Sequence, residues 1–297
     1  MDFNLVNLSI TVRTDDASRL CLCLPLLGNE FAAACRSHCC LNPEKACGTC
    51  PGQGACNWNL VFGQKLTSDP SALKRYQKPP LPFMFTFPTL LDLAAGNSVF
   101  ECGLVVIGQA ISCLDMLLEG FGEILIPFAA KVLEITTRDY QGGVHPLGDG
   151  SGIKFPESLV VLSSHDLLDS RIWPSSHLHI RLLTPLRLFA DGHLCANFHF
   201  SRFAKSLLRR ISSLAYYYGA YEFSCDYKEL SRQADEVLCT DNHFRLTTEK
   251  NRRMSGLVGE GSFQGDFIGL MPFLGAGLYV HTGKGASFGM GAYEFLE

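Results

Sequence analysis

The chain has 297 residues, 47% of them hydrophobic, with 13 Cys, 28 Gly and a formal net charge of −4, which buries a sizeable core and suits two domains better than one. A net negative charge excludes a uniformly basic nucleic-acid binder, because phosphate neutralisation leaves a positive footprint, but it leaves room for a local basic face. No stretch reaches the ~18 to 20 apolar residues of a membrane span and the start Met-Asp-Phe-Asn lacks a basic signal region, so a cytoplasmic protein without a membrane partner is expected, and its cysteines are core residues, metal ligands or nucleophiles rather than a disulfide framework.

In chain order, Val6, Leu8, Ile10 and Val12 alternate with polar residues, the period of a strand with one buried face. Residues 28–40, with Phe31, Ala32, Ala33, Ala34 and Cys35, predict a helix whose small residues allow close packing. The pattern then breaks into a Gly/Pro-rich loop holding Cys40, Cys47, Cys50 and Cys56. A C-x2-C flanked by two further cysteines is a zinc signal, since thiolates two residues apart reach the same tetrahedral ion, and a loop this poor in apolar residues folds only if something such as a metal supplies the free energy. Iron-sulfur ligation and a loop with free thiols are the alternatives. Cys35 and Cys39 compete with Cys40 for the first ligand position, and His38 could replace any of them.

Prolines at 79, 80 and 82 end the insertion in extended backbone. A buried strand over 98–107, a helix after Gly108 carrying Ile111, Leu114, Leu117 and Leu118, and a last strand over 132–137 complete a βαββαβ pattern. The Gly- and Pro-rich stretch 139–156 predicts a linker. Beyond it Leu178, Ile180 and Leu182 alternate into a strand, and 198–218 forms a long helix with Phe203, Leu207, Ile211 and Leu214 as its core stripe. Arg202, Lys205 and Arg209 lie off that stripe, and with Arg181, Arg187 and Arg210 they meet one acid, Asp191, between 177 and 218, so one face is predicted to be basic. The polar stretch 235–253 is expected to be mobile.

The last stretch, Leu278 to Tyr293, carries four glycines, Gly283, Gly285, Gly289 and Gly291, around Lys284 and after His281. Such a loop offers bare N–H groups and one cation to an anion. It is neither a P-loop, because Gly277 lies one residue too far from Gly283-Lys284 and Gly285 follows Lys284, nor a dinucleotide fingerprint, because it runs into a terminal strand instead of a helix.

His281, Gly283, Lys284, Phe288, Gly289, Gly291 and Tyr293 together resemble the C-terminal signature of the CRISPR repeat-processing endoribonucleases of the RAMP superfamily. Blocks at Thr184-Pro-Leu-Arg-Leu188 with Asp191-Gly192, Leu208-Arg-Arg-Ile-Ser212, Ser231-Arg-Gln233 and Met254-Ser-Gly-Leu-Val-Gly259 resemble the same branch in the same order, and the N-terminal cysteine cluster suits it, with Cys40 favoured as first ligand. The resemblance implies an α+β chain of tandem ferredoxin-like domains: residues 1–140 with a Cys-rich metal-binding insertion at 40–80, a linker at 141–156, and residues 157–297 with the glycine-rich loop at 281–291. It implies metal-independent cutting of CRISPR repeat RNA, by attack of a 2′-hydroxyl on the adjacent phosphate, to give 5′-OH and 2′,3′-cyclic phosphate ends. The product crRNA and other CRISPR effector-complex subunits are the implied partners, and structural zinc the only implied cofactor.

That reaction needs a base, an acid and donors for the charge on the phosphorane. Histidine titrates near neutral pH and suits either proton role. Of nine histidines, the resemblance favours His281, with His38 second, and Lys284 as the phosphate contact. Gly283, Gly285, Ser287, Gly289, Gly291, Arg202, Lys205, Arg209, Arg210, Arg232, Arg252 and Arg253 are expected to bind RNA. A non-catalytic crRNA-binding subunit and a zinc adaptor are the rival functions.

Overall fold

A computed structural model describes residues 4–69, 78–88, 98–149, 152–153, 159–163, 175–223, 225–249, 251 and 253–296. β1 (Asn4–Arg13) buries Val6, Leu8, Ile10 and Val12, as their alternation requires. Asp16 accepts from the Arg19 N–H at 3.0 Å and starts α1 (Ala17–Cys23). After it come α2 (Gly28–Cys39), α3 (Asn57–Phe62), β2 (Phe83–Thr86), β3 (Val99–Ile107), α4 (Leu114–Leu125) and β4 (Lys131–Arg138). The strands form an antiparallel sheet in the order β2-β3-β1-β4, which is the ferredoxin-like arrangement of βαββαβ. α2 crosses α4 closely because Gly120 has no side chain; a Cβ there would stand 2.5 Å from the Cys35 sulfur.

Part of the stretch expected to be a linker is sheet instead. β5 (Val144–Asp149) pairs with β4, β6 (Gly152–Ile153) with β5, and β7 (Leu162–Ser163) with β1. Asp139 closes the β4–β5 turn by accepting from the N–H groups of Gln141 (2.9 Å) and Gly143 (2.8 Å), and Leu147 is buried. Glycine and proline here mark a tight hairpin and strands at the margin of the sheet, so composition alone does not reveal this pairing.

The second unit runs β8 (His177–Leu186), β9 (Phe189–Ala190), β10 (His193–Leu194), α5 (Phe200–Gly219), α6 (Tyr227–Glu236), β11 (Leu238–Asn242), β12 (Arg245–Thr247), β13 (Gly256–Gln264), α7 (Met271–Val280) and β14 (Tyr293–Leu296). Its sheet order, β11-β13-β8-β14, repeats that of the first, so the chain is an α+β tandem of ferredoxin-like domains. On α5 the stripe Phe203, Leu207, Ile211 and Leu214 is fully buried. The stretch expected to be mobile holds β11 and β12, both paired with β13; every residue of β11 is exposed, so its polar composition reads as loop while the backbone ladder holds it. Leu5, Met84, Val105 and Ile107, on the second face of the first sheet, join the core of the second domain. Among the described residues no helix is long and apolar enough to cross a membrane.

Candidate nucleic-acid interface

The glycine-rich loop leaves α7 at His281, whose backbone sits at φ 53°, ψ −179°. It is tied to the end of β8 by two backbone bonds, Lys284 N–H to Arg187 C=O (2.9 Å) and Gly291 N–H to Pro185 C=O (3.1 Å), and is closed on itself by Thr282 N–H to Gly291 C=O (3.2 Å). Gly283 and Gly291 are required by that path. They take φ 82° and 68°, and a Cβ would lie 2.8 Å from the Arg187 oxygen and 1.9 Å from the Thr282 oxygen. The far arm docks on the first domain. Phe85 N–H donates to Ser287 C=O at 3.1 Å, and the Phe288 ring stands edge-on to Phe31 (6.3 Å) and Phe83 (5.6 Å). Both domains therefore fix the shape of this loop.

Between the loop, the β8–β9 connection, α5 and α6 lies a cavity of ≈ 620 Å³. Arg187, Arg202, Lys205, Arg209 and Lys284 line it, and no carboxylate does among the described residues. Lys205 is held by Asp235 at 2.7 Å. Phe189 is 43% exposed at the rim, with Lys284 Nζ 5.2 Å and Arg187 Cζ 5.7 Å from its ring centroid, so the aromatic face restrains two of the cations. Burial lowers the Arg187 pKa, and the Arg253 charge adds to that. Clustered cations with an exposed ring in a concave site suit an extended polyanion carrying flat bases.

The expected site residues separate into groups. Arg202, Lys205, Arg209, Gly283 and Lys284 line the cavity. Gly285 is exposed beside Lys284, whereas Ser287, Gly289 and Gly291 are buried and shape the loop. His281 is 3% exposed, does not line the cavity, and keeps its Nδ1 without a hydrogen-bond partner among the described residues. Burial, and after it the Arg210 charge, lower its pKa to about 4 against a hydrogen bond with the Ala286 backbone. Arg210 turns inward to the Val280 carbonyl at 2.8 Å. His38, near the end of α2, is clasped by Glu119 (3.3 Å) and Glu123 (3.1 Å) of α4. The Phe288 ring meets α2 at Gly28, ten residues before His38, or roughly 15 Å along the axis. Arg232 is exposed and engaged by Glu229 and Glu236, Arg253 is exposed, and Arg252 lies outside the described residues.

Sequence reasoning missed Phe189. Its signal was Asp191-Gly192, a dipeptide that favours two-residue hairpins; both residues take positive φ, 52° and 82°, and the hairpin they close, β9–β10, sets Phe189 at the rim.

Cys40, Cys47, Cys50 and Cys56 are all half-buried and free, and Cys40, Cys47 and Cys50 lie around one guanidinium, that of Arg36, and raise its pKa, the hydrogen bond with Cys40 first. Arg36 also donates to the carbonyls of Pro43 (3.3 Å) and Lys45 (3.1 Å), so it organises the loop. The donor set fits zinc in kind, but among the described residues no three His, Cys, Asp or Glu groups converge as metal ligands.

Residues 180–293 match the family described as CRISPR-associated endoribonuclease Cas6, and residues 26–126 match a family described as an N-terminal domain. No curated protein matches the sequence. Among solved structures, a partial Cas6-RT-Cas1--Cas2 complex contains a chain similar in fold, with TM-score 0.57 and 11% identity over 99% of this chain and 46% of that one; this chain thus spans about half the length of that relative. Thermus thermophilus Cas6 is similar at TM-score 0.54 and 12% identity, covering 100% of this chain and 99% of its own. A Cas6 product complex gives TM-score 0.55 and 16% identity with both chains covered 100%.

Proposed function

We propose that this chain, a CRISPR pre-crRNA processing protein of the Cas6 type, cuts CRISPR repeat RNA itself, without a catalytic metal, by attack of a ribose 2′-hydroxyl on the neighbouring phosphate. The carrying observation is the ≈ 620 Å³ basic cavity with Lys284 at its edge on the glycine-rich loop. Phosphates lie along Arg202, Lys205 and Arg209, and Lys284 stabilises the charge that builds on the phosphorane. For proton transfer we carry forward His281 first and His38 second, on the resemblance to the family motif. The test is incubation of the purified chain with a labelled repeat hairpin: cleavage to 5′-OH and 2′,3′-cyclic phosphate ends supports the reading, and intact RNA bound at the same affinity leaves only a crRNA-binding subunit. One observation favours that second reading, namely that neither histidine lines the cavity. Other CRISPR proteins are proposed as partners, because a similar chain sits in a complex named for Cas1 and Cas2.

Removing Arg202, Lys205 and Arg209 together is expected to weaken RNA binding across sequences. It is also expected to flatten the log–log salt dependence by roughly 2 to 3, at about 0.7 to 0.9 per phosphate contact. Binding isotherms between low and moderate salt measure this, and an unchanged slope would move the RNA path out of the cavity.

We further propose structural zinc on Cys40, Cys47, Cys50 and Cys56, supported by four free thiols in one short loop beside a cation. Bound there, zinc would supply folding free energy to the loop and no chemistry. Elemental analysis is expected to find about one zinc per chain, and Cys47→Ser with Cys50→Ser to make the loop protease-sensitive; metal-free protein of full stability removes the idea.

A further inference from the structure

Arg210 belongs to the basic helix α5, yet it points away from the cavity that its neighbour Arg209 lines. Its Nε donates to the Val280 carbonyl at 2.8 Å, and its Nη2 donates to Ser287 Oγ at 3.4 Å. Val280 closes α7 and Ser287 is the residue whose own carbonyl accepts from β2, so one planar fork spans the two ends of the arc that carries Lys284. A cation on a last-turn carbonyl suits both the helix dipole and an otherwise orphaned acceptor. Arg210 is half-buried, and the donors it turns to Val280 and Ser287 are used on the protein, which offsets part of the cost of drawing its charge out of water. Burial lowers the Arg210 pKa to about 10, and its charge in turn acts on His281. The chain Arg210, Ser287, Phe85 links α5 to β2 through the loop and so joins the two domains at the site.

We propose that Arg210 is a positioning residue that fixes the 281–287 arc from behind, so that Lys284 faces the cavity, and that it makes no contact with RNA. The link to cleavage rests on the RNA reading above; the link to loop order does not.

The test compares Arg210→Met, Arg210→Lys and Arg209→Met. In RNA-free protein, amide hydrogen exchange over 281–291 is expected to speed up by about 10- to 100-fold in Arg210→Met, the usual worth of charge-assisted hydrogen bonds, by less in Arg210→Lys, and not at all in Arg209→Met. The salt slope of RNA binding is expected to stay unchanged in Arg210→Met and to fall by about 0.7 to 0.9 in Arg209→Met. Single-turnover cleavage is expected to drop by about 10²-fold in Arg210→Met, as displacement by an ångström does, with partial rescue in Arg210→Lys. A reduced salt slope with an unchanged loop in Arg210→Met would make Arg210 a phosphate contact and overturn the proposal. If the wild-type chain cleaves nothing, the RNA reading fails while the exchange data still decide the role of Arg210. Should Arg210→Met not fold, Arg210→Lys and Ser287→Ala carry the same comparison, and loop exchange unchanged in both overturns the proposal.

Discussion

Lys284→Ala is expected to lower single-turnover cleavage by about 10²- to 10³-fold, the worth of one donor to a developing oxyanion. The loop should survive the change, because the bond that holds it here is the Lys284 backbone N–H to Arg187 C=O, and the side chain is exposed. Losses in both affinity and rate would place the ammonium on the phosphate in ground and transition states alike. Lys284→Arg keeps the charge and is expected to recover most of the binding. Alongside it, His281→Ala separates two roles: a loss of about 10²- to 10⁴-fold marks proton transfer, and a normal rate sends the assignment to His38. Normal cleavage by Lys284→Ala would remove the loop from the chemistry.

The second large effect concerns acid. His281 has a pKa of about 4 in the folded chain against 6.5 for the free side chain, because burial and then the Arg210 charge disfavour the imidazolium. The folded pKa is depressed, so the unfolded chain takes up the proton first. The contribution of a neutral His281 is therefore complete above pH 6.5, shrinks as pH falls, and is fully lost near pH 4. Over that window it amounts to on the order of 3 kcal/mol. Urea midpoints measured from pH 7 to 4.5 are expected to fall more steeply for the wild type than for His281→Gln, which has no proton to gain. Parallel curves would mean that the imidazole is not buried next to Arg210.

The residues that made the fold legible were the strongly periodic ones. Val6, Leu8, Ile10 and Val12 and the Phe203 to Leu214 stripe are buried as their spacing predicts, although the second face of β1 is covered too, by the second domain. Two stretches misled for one reason: 144–153 and 238–247 are edge or exposed strands, held by backbone pairing that composition does not record. At the site, the sequence pointed to Lys284 and the cations of α5, because a solvent-facing charge shows itself as a departure from the apolar stripe. It could not show which cations turn inward. Arg209 and Arg210 are adjacent and identical, and the helix rotates one toward the cavity and the other toward Val280. Nor could spacing show that His281 is interior, 3% exposed and close to Arg210.

The most direct measurement uses a repeat RNA carrying one 2′-deoxy nucleotide immediately upstream of the cut, with chelator present and both product ends read. Phosphate contacts remain and only the nucleophile is gone, so the account predicts binding close to that of the all-ribose repeat with cleavage at that position abolished, while the all-ribose repeat is cut to a 5′-OH and a 2′,3′-cyclic phosphate. Cleavage of the deoxy substrate at the normal rate would contradict it.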